Sequence, residues 1–221
     1  MKLLLTSGGL ANNSIIDSLK NLTQKPFSEL NLGLIPTAAN LEAGDKWWLI
    51  EDLETCKKLG FKSIDLIDIS ALPEKIYRQR LEKTNVLLFE GGNTYHLMYW
   101  VKQSGLIILL PELLKERVYI GISAGSIIAT PSMVFCKEEK EAILDIGEDI
   151  GDEGLGLVNF LVEPHINNKH FPELTFDYVK MNSAKIDCPI YALDDNSAVE
   201  VINGQIRVVS EGNWKKFSPA K

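Results

Sequence analysis

The sequence predicts an α/β fold in which helices cover both faces of a mostly parallel sheet and a β-hairpin lies near the carboxyl end. Three observations support this prediction. Apolar runs of strand length alternate with segments of helical length as far as Pro131. Each apolar run ends in turn residues. Asn203-Gly204 separates two alternating segments, which is a strong signal of a tight hairpin turn.

The predicted strands are nearly continuous apolar runs, as expected for strands that are buried on both faces. In chain order they are KLLLTSGG, LGLIPTAAN, SIDLIDIS, NVLLFEGGN and VYIGISAG. Between them lie segments of helical composition, namely NSIIDSLKNL, AGDKWWLIEDLETCKKLG, PEKIYRQRLEKT and TYHLMYWVKQSG. Such an alternation folds through right-handed crossovers into a parallel sheet.

The composition is that of one globular domain over residues 1–221. The chain has 45% hydrophobic and 24% charged residues, and no linker, repeat or low-complexity tract divides it. Its formal net charge of −7 argues against nucleic acid and membrane partners, because both reward clustered lysine and arginine. We therefore expect a small molecule or a peptide as the partner.

Cysteine usage and the amino terminus favour a cytoplasmic protein. Cys56, Cys136 and Cys188 are widely spaced and fit neither a disulfide framework nor a thiolate zinc site. The apolar run at the amino terminus is too short for a signal peptide, and no stretch approaches the length of a transmembrane helix. No cofactor is indicated by any motif.

Three turns that contain glycine are predicted at one edge of the sheet. They are SGG after the first strand, EGGN after the fourth and SAGS after the fifth. Ligands of open α/β sheets bind beyond the carboxyl ends of the strands, where loops and helix amino termini converge. This edge is therefore the predicted location of the functional site.

The segment YIGISAGSII places a lone serine between a strand-like run and a helix-like run. Gly121, Ser123 and Gly125 form the pattern G-x-S-x-G, which at a strand-to-helix junction is typical of a nucleophile elbow. The glycines leave room for a cramped backbone, and the turn directs the serine hydroxyl into a cleft. The alternative is a tight turn whose serine only caps the next helix.

A serine nucleophile needs a base, and the chain has three histidines. His165 follows the strand-like LVNFLVEP, so its imidazole is expected at the tip of that strand. His96 lies in a helical segment, where packing or a surface position explains it. His165 and His170 have an H-x4-H spacing, but no third metal-ligating residue lies at a typical spacing from them, so no metal site is expected. His165 is therefore the preferred base.

The base needs an acid that fixes its tautomer. Asp194 and Asp195 end the strand-like IYAL, at a point where loops gather again. One of them is a candidate partner of His165. Both could equally be turn formers, since Asp-Asp-Asn-Ser is common turn chemistry.

Four segments together resemble the peptidase E family of aspartyl dipeptidases, of which the cyanophycinases are relatives. They are EGGNTYHL, YIGISAGSIIATP, LVNFLVEPHINN and ALDDNSAVEV, in this order. The resemblance covers nearly the whole chain. It implies a serine peptidase with a fold like that of class I glutamine amidotransferases, with serine in place of their cysteine, and it implies a monomer or a homodimer.

The resemblance also assigns roles to individual residues. It implies that Ser123 is the nucleophile and His165 the general base. The N–H groups of Gly92 and Ala124 would form the oxyanion hole, a role that suits a glycine because its amide can approach the oxyanion closely.

The third acid of the family, often a glutamate, corresponds to Asp195 in this chain, and Asp194 is the alternative. An acid between serine and histidine has also been considered for the family. Glu138 or Asp145 would fill that role here.

Family members of dipeptidase type prefer an N-terminal aspartate, whose carboxylate needs a cation or several donors. No arginine lies between Ser123 and Asp195. Lys169 is the cationic side chain nearest to His165 in the sequence. Asn93 and Lys169 are the candidate substrate-binding residues. A departure from the family is Glu90, where relatives often carry a glycine.

Three alternative functions stay open. A cyanophycinase-like isopeptidase fits the same motifs. An esterase of the α/β-hydrolase fold also uses G-x-S-x-G, but its histidine lies near the carboxyl end, whereas about 50 residues follow His170 here. A catalytically silent protein that binds a small ligand is the third, because a fold does not guarantee activity.

Overall fold

The computed structural model describes residues 1–144, 149–184 and 186–219. Within these ranges, a seven-stranded sheet has the strand order β3-β2-β4-β5-β1-β8-β9. Its strands are β1 (Lys2–Thr6), β2 (Asn31–Ile35), β3 (Ser63–Leu66), β4 (Val86–Phe89), β5 (Val118–Ile122), β8 (Ser197–Ile202) and β9 (Gln205–Ser210). β1 to β5 run parallel to one another, whereas β8 is antiparallel to β1 and to β9. The predicted mostly parallel sheet is confirmed.

The helices follow the strands in the predicted alternation. They are α1 (Asn13–Thr23), α2 (Thr37–Asn40), α3 (Trp47–Leu59), α4 (Glu74–Leu81), α5 (Thr94–Gln103), α6 (Leu106–Leu113), α7 (Ala124–Ile128), α8 (Lys137–Leu144) and α9 (Phe176–Ser183). Short 3-10 helices cover Phe27–Glu29 and Val134–Cys136. The structure describes no helix that is long and apolar enough to cross a membrane.

Two apolar cores lie on opposite faces of the sheet because side chains alternate along each strand. In β1, Leu3 and Leu5 belong to the core beneath α4 to α7, whereas Leu4 belongs to the core beneath α1 and α3. All three side chains are completely buried. Helices therefore cover both faces, as the fold class predicts.

The hairpin signal is also confirmed. Ile202 of β8 pairs with Gln205 of β9, so Asn203 and Gly204 form the two-residue loop. Both have positive φ angles, 50° for Asn203 and 86° for Gly204. This conformation matches the right-handed twist of the two strands, and asparagine followed by glycine adopts it readily.

A second sheet of three strands, in the order β10-β7-β6, stands beside the main one. It consists of β6 (Leu161–Glu163), β7 (Ile190–Leu193) and β10 (Trp214–Phe217). The sequence analysis did not predict this sheet as a separate unit, because strands of three or four residues leave little periodic pattern. The ends of β6 and β7 lead directly into the segments that carry His165 and Asp195.

Candidate active site

Ser123 occupies a sharp turn between β5 and α7, with φ 48° and ψ −108°. This conformation is costly for a residue with a side chain and persists only where the surroundings enforce it. The flanking glycines allow the turn. A Cβ atom on Gly121 would lie 2.5 Å from the backbone of Gly125, and one on Gly125 would overlap the carbonyl oxygen of Phe89.

Ser123 and His165 lie within hydrogen-bonding distance, and His165 in turn contacts Asp195. The Ser123 Oγ and His165 Nε2 atoms are 2.8 Å apart, and His165 Nδ1 lies 2.7 Å from Asp195 Oδ1. The histidine side chain is 17% exposed and the aspartate side chain 34%. The three side chains come from three turns at the same edge of the sheets, as nucleophile, base and acid must in a serine hydrolase.

Two further polar residues hold this arrangement in place. The buried Ser7 hydroxyl donates to Asp195 Oδ1 at 2.8 Å and accepts the backbone N–H of His165 at 2.7 Å. The Asn168 amide donates to the other oxygen, Asp195 Oδ2. Ser7 therefore joins the histidine segment and the acid to the end of β1. Sequence analysis marked the SGG turn but missed this role, since only the fold brings Ser7 to Asp195.

The pKa of Asp195 lies below its ordinary value. Burial alone would raise it, but hydrogen bonds from His165, Ser7 and Asn168 and the charge of His165 together outweigh burial. Asp195 is therefore an anion at neutral pH, and it can fix the proton of His165 on Nδ1. In that tautomer, Nε2 is free to accept the Ser123 proton.

His165 is held in an unusual conformation, with φ 61°. Its ring stacks on that of Phe171, with centroids 4.8 Å apart and an angle of 18° between the planes. The backbone conformation and the stacked ring fix the direction of the imidazole before any substrate binds.

The backbone N–H groups of Gly92 and Ala124, at the turns leading into α5 and α7, have no acceptor among the described residues. Ala124 is the first residue of α7, where the amide has no partner within the helix. Gly92 has φ 122°, and a Cβ atom there would lie 2.5 Å from the carbonyl carbon of Ala38. The neighbouring Gly91 N–H is occupied, since it donates to Glu90 Oε1 at 3.0 Å.

Comparisons with known proteins agree with this geometry. The model of Peptidase family S51 matches residues 3–209 of the chain. The chain belongs to peptidase family S51.

Relatives match this S51 peptidase over nearly all or about half of its length. An uncharacterized peptidase of Pasteurella multocida is 26% identical over 219 residues, which cover 97% of this chain and 100% of the relative. Peptidase E of Shewanella oneidensis is 31% identical over 110 residues, 49% of this chain and 44% of the relative. The family is one of serine peptidases, so the predicted peptidase activity is confirmed at that level.

A solved structure confirms the fold. The crystal structure of a Listeria monocytogenes protein, proposed to be a peptidase E, superimposes with a TM-score of 0.80 at 23% identity. The match covers 96% of this chain and 98% of that one. A peptidase from an acI-B1 actinobacterium matches with a TM-score of 0.62 at 16% identity, covering 100% of this chain and 95% of that one.

Asp194, the alternative acid of the S51 peptidase, does not contact His165. The Asp194 carboxylate faces away and accepts from Ser197 Oγ at 2.7 Å and from the backbone N–H of Asn196 at 3.1 Å. It holds the turn before β8, which is the turn-forming role that the sequence also allowed. Asp145 and the side chain of Glu138 lie outside the described part of the structure.

The two candidate substrate-binding residues differ in how they are used. Asn93 is 4% exposed and caps α5, because its Oδ1 accepts the N–H of His96 at 2.8 Å. Its Nδ2 donates to the Glu139 carbonyl oxygen at 3.1 Å. Asn93 therefore holds the G-G-N turn. Lys169 is exposed, and no ion pair to it occurs within the described residues.

The arginines of the S51 peptidase are engaged elsewhere. Arg80 binds Asp65, and Arg207 binds Glu200 through two nitrogens at 2.9 and 3.0 Å. Arg78 donates a hydrogen bond to the Glu82 carboxylate. Arg117 donates to the backbone carbonyl oxygens of Leu81, Glu82 and Leu113. None of these partners belongs to the group around Ser123.

Two pairs of carboxyl groups, each with one buried and one partly buried member, flank the G-G-N turn, and sequence analysis did not predict them. Glu90 precedes the turn and lies against Asp52 of α3; burial raises the pKa of Asp52 to about 7 and that of Glu90 well above its ordinary value. Behind the turn, Glu139 accepts the N–H of Thr94, the first residue of α5. The Glu139 carboxyl lies near that of Glu163.

The second pair predicts a pH-dependent stability. Burial raises the pKa of Glu163 to about 8, and the nearby Glu139 adds to the rise. Burial likewise raises the pKa of Glu139 to about 7, although hydrogen bonds from Thr94 oppose it. Glu42 also faces Glu139, and Cys136 faces both acids. A raised carboxyl pKa favours folding below pH 4.5, and that contribution is lost as pH rises towards 8.

We therefore expect Glu163→Gln to unfold at nearly the wild-type temperature at pH 4.5 and to be more stable at pH 8 by more than about 1 kcal/mol. Thermal unfolding at a series of pH values measures the difference. Glu173→Gln is the matched control, because Glu173 is exposed in the loop before α9. A stability difference that does not grow with pH contradicts the prediction.

Proposed function

We propose that the protein is a serine peptidase that hydrolyses small peptides, as a dipeptidase that prefers an N-terminal aspartate. Ser123 is the proposed nucleophile, His165 the general base and Asp195 the orienting acid. One observation carries the proposal: a continuous set of contacts runs from Ser123 Oγ through His165 to Asp195, at 2.8 and 2.7 Å. The unpaired N–H groups of Gly92 and Ala124 form the proposed oxyanion hole.

In the first half of the proposed reaction, Ser123 Oγ attacks the peptide carbonyl carbon while His165 Nε2 accepts the hydroxyl proton. The N–H groups of Gly92 and Ala124 donate to the oxyanion, and Asp195 stabilises the imidazolium. His165 then gives the proton to the leaving amine as the C–N bond breaks, which leaves an ester on Ser123.

Water completes the second half. His165 accepts a proton from the attacking water, the tetrahedral intermediate collapses, and Ser123 Oγ leaves with the proton returned by His165. The products are the free acid and the free amine, and the enzyme returns to its starting state.

The aspartate preference is supported by the resemblance to aspartyl dipeptidases. Because the arginines are engaged elsewhere, Lys169 is the proposed cation for the substrate carboxylate. It lies four residues after His165, and no ion pair to it is found in the described ranges.

The test is a panel of X-Leu dipeptides in which X is Asp, Glu, Asn, Ala or Lys, with release of free leucine as the readout. We expect release from Asp-Leu, and a tenfold or greater reduction in kcat/KM for Asp-Leu in Lys169→Ala, an estimate of about 1.4 kcal/mol for a charge-assisted contact. Release from another member in preference to Asp-Leu overturns the aspartate preference. Cleavage of simple esters alone would favour the esterase alternative.

A fluorophosphonate probe separates the remaining alternatives. Labelling of Ser123 without cleavage of any dipeptide would favour an isopeptide substrate of the cyanophycin kind. Absence of labelling in folded protein would favour the catalytically silent scaffold, because the contact with His165 should activate the hydroxyl.

A further inference from the structure

An exposed aromatic surface continues from the His165 ring. The Phe171 ring that stacks on His165 is 40% exposed. Its neighbour His170 is exposed and lies against Trp47 of α3, with ring centroids 5.7 Å apart. Trp47 is 46% exposed. We call Trp47, His170 and Phe171 the aromatic patch.

The start of α3 also lies near the turn that carries Gly91 and near Ser123. Trp48 follows Trp47, and its ring lies 3.9 Å from the position that a Cβ atom on Gly91 would take. That same position is 3.4 Å from Ser123 Cβ. The patch therefore lies on segments that border Ser123 and His165 and is not a remote surface.

We propose that the aromatic patch binds the side chain of the residue that leaves as the amine, so that the enzyme favours dipeptides whose second residue is large and apolar. This inference rests on the proposed function. The leaving nitrogen must come within hydrogen-bonding distance of His165 Nε2 to receive its proton. The residue attached to that nitrogen therefore lies beside the imidazole, next to the ring of Phe171.

The chemistry of the patch fits an apolar side chain. Tryptophan and phenylalanine rings offer large apolar areas that lose little conformational freedom on binding. In the free protein these areas face solvent, and a leucine or phenylalanine side chain would remove part of them from water.

The experiment compares kcat/KM for Asp-Leu and Asp-Gly, which share the acyl part and differ only in the leaving residue. We expect wild type to favour Asp-Leu by about tenfold. Partial burial of the leucine side chain against the patch contributes about 1.4 kcal/mol, which corresponds to a factor of ten in kcat/KM. The ratio should fall to about threefold or less in Trp47→Ala and in Phe171→Ala. Ile108→Ala is the matched control, because Ile108 is an 83% exposed apolar residue on α6.

Two readouts separate this role from a structural one. Phe171→Leu keeps an apolar side chain, so it should retain more of the ratio than Phe171→Ala. The rate of labelling by a small fluorophosphonate, which has no leaving residue of this kind, reports whether His165 is still in place.

An equal loss of activity on both peptides, with an unchanged ratio, would show that the patch only supports His165, and that outcome overturns the inference. A wild-type ratio near one overturns the inference alone and leaves the peptidase intact. Cleavage of neither peptide by wild type overturns the proposed dipeptidase and this inference with it.

Discussion

Ser123→Ala is expected to lower the turnover of Asp-Leu by at least about 10⁴-fold while the protein stays folded. The substitution removes only the hydroxyl group, whose oxygen is the proposed site of the acyl bond. The oxyanion hole and binding alone account for the small residual rate. Leucine release and circular dichroism together measure the result.

The strained backbone of Ser123 adds a second expectation. Because φ is 48° at this position, glycine fits the turn better than serine or alanine. Ser123→Gly should therefore be equally inactive but more stable than Ser123→Ala, by about 1 kcal/mol in the free energy of unfolding. Such a gain would show that the backbone at Ser123 is strained in the wild type and that this strained turn is what positions the hydroxyl.

The control for both variants is Ser183→Ala, near the carboxyl end of α9. That hydroxyl donates to the Lys180 carbonyl oxygen at 2.8 Å, away from the catalytic turns. Its activity should stay within about twofold of wild type, as for most surface substitutions. Full activity of folded Ser123→Ala would refute the serine mechanism, since no other hydroxyl contacts His165 Nε2 in the described ranges.

Asp195→Asn is expected to reduce kcat by about 10⁴-fold with little change in KM for Asp-Leu. A side-chain amide that donates to His165 Nδ1 places the histidine proton on Nε2, so the ring can no longer accept the Ser123 proton. The amide nitrogen also replaces the oxygen that accepts from Ser7, so Ser7 loses that acceptor, and Asn168 then donates to a neutral amide oxygen. Steady-state kinetics on wild type and variant measure the split between kcat and KM.

Asp194→Asn is the matched comparison, because it makes the same chemical change one residue earlier. It should lower stability, since Asp194 accepts bonds from Asn196 and Ser197, and should leave kcat within about fivefold of wild type. The reverse result, an active Asp195→Asn and an inactive Asp194→Asn, would transfer the acid role to Asp194. If both variants were active, Glu138 or Asp145 would be the next acids to replace.

Local patterns in the sequence were sufficient for much of the fold and for part of the site. The parallel strands were predictable because strands buried on both faces are continuous apolar runs, and the hairpin because Asn203-Gly204 suits two positive φ angles. The turn at Ser123 was predictable because its two glycines and its serine are neighbours in the chain. The position of His165 at the end of a strand was predictable because Pro164 directly precedes it.

The choice between Asp194 and Asp195 could not be made from the sequence. The two residues are adjacent and chemically identical, and the structure turns one towards His165 and the other towards the turn before β8. Asn93 was expected near the substrate for its polar side chain, yet the structure uses that side chain to cap α5. Only the backbone path decides which way such side chains point.

The sequence by itself determined the five parallel strands, the hairpin and the elbow at Ser123, because each depends on residues close together in sequence, and its four motifs in order indicated the family. The tertiary structure alone decided that Ser7 joins His165 to Asp195, that carboxyl groups flank the G-G-N turn, and that Trp47 meets the loop after His165. These contacts join segments separated by more than a hundred residues or by several elements of secondary structure. No local pattern encodes such pairings, because they arise only when the sheet brings its turns to one edge.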